Sequence, residues 1–122
     1  MESSAFIQSA ARVMGWMGIV AITIASLVPG SLRPHSGLPG PMEHALAYCL
    51  AGTLLCVGYV TAGERLFFWI GLAACSALFE ILQNFVPGRS LAVIDSLASI
   101  AGLTAGFASG AAIQTFFRFG RG

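Results

Sequence analysis

The chain has 122 residues, of which 57% are hydrophobic and 9% charged, with a formal net charge of +1 and a mean hydropathy of +0.84. A soluble domain of this length carries roughly 25% charged residues, so this composition excludes a water-soluble fold, whose surface would stay largely apolar. The near-neutral charge, the absence of lysine and the lack of any basic run exclude nucleic acid as a partner.

An integral membrane protein is therefore expected, built as an all-α four-helix bundle in a single domain over residues 1–122. A bilayer core of about 30 Å takes about 20 helical residues per span. The apolar runs predict four spans, at about 13–28, 43–61, 66–86 and 91–117. They are too long, and alternate too little, for a membrane β-barrel. The first run has a weakly charged flank and no convincing cleavage site after it, and is read as a retained helix rather than a signal peptide.

Between the first two runs lies "PGSLRPHSGLPGPM" (29–42), whose prolines and glycines predict an extended, turn-rich loop. His35 falls in this loop and reads as solvated. Arginine placement sets the orientation. With both termini inside, Arg12, Arg65, Arg118 and Arg121 lie on the inner face, and Arg33 and Arg89 on the outer. Trp16, Trp69, Phe116 and Phe117 fall near predicted span ends and read as interfacial anchors.

This topology gathers the scarce polar residues at the outer face. His44 and Tyr48 are four apart and share a stripe of the second helix. Glu80, Gln83 and Asn84 share one on the third, and Asp95, Ser99, Gly102 and Gly106 one on the fourth. Glu80 lies seven residues before Pro87, so it sits about 10 Å inside the helix end at 1.5 Å per residue. A lipid-facing, unpaired carboxylate there costs at least about 2.5–3.5 kcal/mol. Glu80 is therefore expected to face the bundle interior, with His44, Tyr48 and Arg89 as candidate partners. Two readings stay open: the polar groups clip the helices together, or they form a site that binds or transforms a ligand.

The stretch "GLTAGFASG" (102–110) places Gly102, Gly106 and Gly110 on one face. Such a ladder allows close helix approach, within the bundle or between copies in a homo-oligomer. Cys49, Cys56 and Cys75 lie in apolar runs without a C-x-x-C pair, and small apolar packing is the simpler reading beside metal or redox use.

Two segments carry a resemblance. "EHALAY" (43–48) and "EILQNFVPGRSLAVIDSLASIAGLTAG" (80–106) resemble the VanZ-like family of small bacterial membrane proteins, with its H-x-x-x-Y, its E-x-x-Q followed by P-G-R, and an acid opening a Gly-rich helix. Residue by residue, the resemblance falls on His44, Tyr48, Glu80, Gln83, Pro87, Gly88, Arg89 and Asp95. The chain departs from the pattern at Gly40 and Pro41, where many members carry an Asp-Lys pair, and at Ser99, where many carry Asn. The family takes its name from a protein linked to teicoplanin resistance. The resemblance implies a cell-envelope role in the bacterial cytoplasmic membrane.

The expected function is binding of an anionic lipid headgroup, a cell-wall precursor or a glycopeptide-type antibiotic at the outer leaflet. Its ligand-binding residues are His44, Tyr48, Glu80, Gln83, Arg89 and Asp95. A guanidinium pairs bidentately with phosphate or carboxylate, and N–H groups at the start of the fourth helix could assist. No cofactor, metal or catalytic residue is expected. Membrane lipids are the expected partners. One alternative is a small accessory subunit of a larger membrane complex. Another is an intramembrane enzyme with His44 as base and Glu80 as acid, although no G-x-S-x-G or H-E-x-x-H motif is present.

Overall fold

The computed structural model describes residues 2–32 and 36–119. The expectations for Arg33, His35 and Arg121 lie outside the described residues, as does the side chain of Arg118. Four α-helices are present, α1 (Glu2–Leu27), α2 (Gly40–Gly58), α3 (Ala62–Gln83) and α4 (Val93–Phe119), and a 3-10 turn at Gly30–Leu32 follows α1. There is no strand among the described residues.

The helix ends differ from expectation for local reasons. Helix α1 starts about three turns earlier, at Glu2, because residues 2–12 contain no breaker and continue the same helix. Helix α2 starts inside the Pro/Gly loop, with Pro41 in its first turn, where a missing N–H breaks no helical bond. Thr61 and Glu64 form a reciprocal capping box that fixes the start of α3. That helix ends at Gln83, and Asn84–Val86 form turns rather than a last helical turn.

Three helices, α1, α3 and α4, are long and apolar enough to cross a membrane. Helix α2, the second of the four expected spans, is not among them. Glu43 and His44 lie in its first turns, and its length is 19 residues. Its enclosure compensates: Ala51, Leu55 and Cys56 are at most 2% exposed, and α1 and α4 pack along it. A helix wrapped by its neighbours has less need of an apolar surface.

Helices α2 and α4 run parallel and make the main seam. The glycine ladder is what lets them meet. A Cβ on Gly102 would collide with the carbonyl oxygen of Ala45, and one on Gly106 with that of Cys49, while at Gly110 it would lie 2.6 Å from the Cys56 Cβ. The Gly102/Gly106/Gly110 face is thus covered by α2 within the chain. Around this pair, α3 lies against α4 and α1 and barely touches α2.

Candidate functional site

Two polar regions occupy opposite ends of the bundle. At the end where α2 terminates, helix geometry leaves the last carbonyls without intrahelical partners. Side chains from the other three helices fill them. Arg12 Nε on α1 donates to the Gly58 carbonyl at 2.7 Å. Arg65 on α3 donates from Nε to Tyr59 O at 2.9 Å and from Nη2 to Cys56 O at 3.1 Å, and also bonds the Gln114 amide oxygen. Gln114 Nε2 on α4 donates to Val57 O at 2.7 Å.

The same hub holds the aromatic residues. Trp16 Nε1 donates to the Tyr59 hydroxyl at 2.8 Å, and the Arg12 guanidinium lies 5.0 Å from the Tyr59 ring centre. Trp16 is therefore a packed member of the bundle, not merely an interfacial anchor. Trp69 likewise bonds Thr104 on α4 at 3.0 Å.

The opposite end carries the residues singled out from sequence. Glu80 and Gln83 are each 4% exposed and Tyr48 is 3% exposed, so all three point inward as burial costs require. Tyr48 lies within electrostatic range of Glu80 and Cys75. His44 Nδ1 stands 3.7 Å from the Asp95 Oδ2, bridging α2 and α4. Ser99, buried on α4, returns its hydroxyl to the Asp95 carbonyl at 2.8 Å.

The pairings differ from those expected. The Glu80 carboxylate accepts from the Ala92 N–H at 2.5 Å, immediately before α4 begins. An acid there is favoured by the helix dipole, and it takes an N–H group expected to serve a ligand. His44 pairs with Asp95 rather than with Glu80.

Arg89 donates through Nη2 to the Ala25 carbonyl in the last turn of α1, at 2.5 Å. That turn exposes unpaired carbonyls and favours a cation. Among the described residues its partner is neither Glu80 nor Asp95. The loop around it is braced by two glycines: Gly88 adopts φ +75°, and Gly30 N donates to Pro87 O at 2.9 Å. A Cβ on Gly30 would strike the Gly88 carbonyl, so this close approach requires glycine.

Several hydrogen-bonding groups at this end have spare capacity. His44 Nδ1 is buried without a hydrogen bond. Tyr48 and Gln83, although almost fully buried, have no side-chain hydrogen bond among the described residues. Buried polar groups are paired in the large majority of cases, so the unfilled His44 Nδ1 sets this end apart. Among the described residues, no three of His, Cys, Asp and Glu form a metal-binding group.

Sequence reasoning found the acids, His44, Tyr48 and Gln83 through their cost in an apolar chain. It missed Arg12, Arg65 and Gln114 as a structural hub and read the arginines only as topology markers. The position of each beside a span end was the available signal. No family model, curated protein or solved structure matches the chain.

Proposed function

We propose that the protein is a four-span membrane protein of VanZ-like type, with both termini cytoplasmic, that binds an amphiphile at the outer leaflet through its His44–Tyr48–Glu80–Gln83–Asp95 cluster. The observation that carries this reading is the inward-facing polar cluster, with Tyr48, Glu80 and Gln83 at most 4% exposed and His44 Nδ1 buried without a hydrogen bond. A purely structural clip would be expected to pair its groups, as the opposite end does.

Arg89 rims the cluster and supplies a guanidinium, which favours an anionic head such as a phosphate or carboxylate. Membrane lipids, cell-wall precursors and glycopeptide-type antibiotics all present such groups. The envelope role is that of a binding protein, not an enzyme. Helix α2 completes the fourth span because its neighbours shield it, although its own hydropathy is modest.

Vesicle reconstitution tests the reading. The protein should melt at a higher temperature in vesicles containing phosphatidylglycerol than in pure phosphatidylcholine, and Arg89→Lys should shrink the difference. Equal melting in both would sink the anionic-headgroup reading. Reporter fusions at residue 122 and at 62–65 should both report cytoplasm, and an external C-terminus would overturn the orientation.

One observation favours a second reading, the accessory subunit. Ala101, Ala105, Ala108 and Ala112 form an exposed small-residue face on α4, which another transmembrane helix could approach closely. Co-purification of one fixed partner in mild detergent, abolished by Ala105→Phe, would support it.

A further inference from the structure

A groove of about 310 Å³ runs between α1 and α3, a volume near the lower end of small-molecule sites. Ile19 and Ile22 form one wall, Phe67, Leu72 and Phe79 the other, and Tyr48 of α2 the floor. The groove exists because α3 barely contacts α2, which leaves the seam open. Its inner end is closed by aromatic rings: Phe68 lies 5.4 Å from Trp16 and 4.4 Å from Tyr59 between ring centres. Its other end, at Cys75 and Phe79, lies one residue short of Glu80 along α3, and Tyr48 belongs to both the groove and the polar cluster.

Tyr48 makes the groove more than an uncovered apolar face. It is 3% exposed, lines the groove and has no side-chain hydrogen bond among the described residues. Helical side chains lean toward the helix N-terminus, which carries this hydroxyl toward the polar end. A fitting occupant is therefore a hydrocarbon chain with a hydrogen-bond acceptor at its head.

We infer that the α1–α3 groove seats one acyl chain of an outer-leaflet phospholipid, with Tyr48 donating a hydrogen bond to the ester carbonyl that joins chain to head. The inference rests on the membrane-site reading above and names the ligand class for it.

The test uses the full chain in vesicles containing phosphatidylglycerol with a diazirine on one acyl chain. After illumination, adducts mapped by mass spectrometry should fall on Ile22, Cys75 and Phe79, saturate with probe and be displaced by unlabelled phosphatidylglycerol. Gly71 lines the groove and a Cβ added there meets nothing within 4 Å, so the side chain of Gly71→Leu starts into open space, and leucine suits a helix better than glycine. It should cut groove adducts about tenfold, as expected for a site filled by its own side chain, and leave adducts on exposed Leu78 unchanged. Tyr48→Phe should weaken displacement about three- to tenfold, the worth of one hydrogen bond. Detergent melts verify that each variant is folded.

Adducts that never saturate, or that ignore Gly71→Leu, would overturn the groove. So would displacement by a polyprenyl phosphate and not by phospholipid. If those adducts fail while the headgroup-dependent melting shift persists, the groove alone is wrong. Saturating adducts with no headgroup dependence would instead remove the anionic-site reading.

Discussion

The two polar ends of the bundle use similar residues to opposite effect. At the end where α2 terminates, Arg12, Arg65 and Gln114 meet the carbonyls of Cys56, Val57, Gly58 and Tyr59, and three helices are thereby tied to the end of α2. At the end where α2 begins, Glu80 is satisfied by one backbone N–H, and His44 faces Asp95 at 3.7 Å with its Nδ1 buried and without a hydrogen bond. Burial of polar groups in an apolar chain is thus not by itself a mark of function. The mark is burial combined with unfilled hydrogen-bonding capacity.

If that contrast is correct, substitutions where α2 terminates should cost stability, and those around His44 and Glu80 should cost binding. Arg65→Ala should have the largest effect. It strips partners from Cys56 O, Tyr59 O and Gln114 together, and should destabilise by about 3 kcal/mol, since an unsatisfied buried acceptor costs about 1–3 kcal/mol. Thermal melting in detergent measures this, and an unchanged melt would erase the distinction between the ends. Arg12→Ala should follow at about 2 kcal/mol, from one charged hydrogen bond and the contact over the Tyr59 ring. Arg12→Lys should recover only part of it.

Glu80→Gln sharpens the comparison from the other side. The amide oxygen can still accept from Ala92 N–H, so only the interaction of charge with the α4 terminus is lost, about 1 kcal/mol. Headgroup-dependent stabilisation should change with it, because a charge has left the site. Tyr48→Phe is the smallest expected effect on folding, within about 0.5 kcal/mol, since the hydroxyl removed leaves no protein partner unpaired. A loss of several kcal/mol in its melt would place Tyr48 with the structural clips.

Much of the fold was legible because a bilayer-like composition leaves few choices. The apolar runs identified all four helices, and the glycines of 102–110 announced a close contact without naming the neighbour. Periodicity cannot separate a helix that faces lipid from one enclosed by others, so the packing of α2 between α1 and α4 was not legible. The early start of α1 escaped notice because the polar residues at 2–12 are compatible with helix but not with hydrocarbon. The capping box at Thr61 and Glu64 needed only attention to spacing.

The sequence by itself determined which residues would be buried against expectation. Glu80, Gln83 and His44 are costly wherever hydrocarbon surrounds them, and that cost depends on residue type and depth alone. Only the tertiary structure decided their partners. Hydrogen bonds depend on distances of a few tenths of an ångström between atoms far apart in the chain: Arg89 with Ala25, Glu80 with Ala92, His44 with Asp95. No spacing rule reaches across separate helices. The groove beside Tyr48 arises in the same way, from the distance α3 keeps from α2, a property of packing that no single segment encodes.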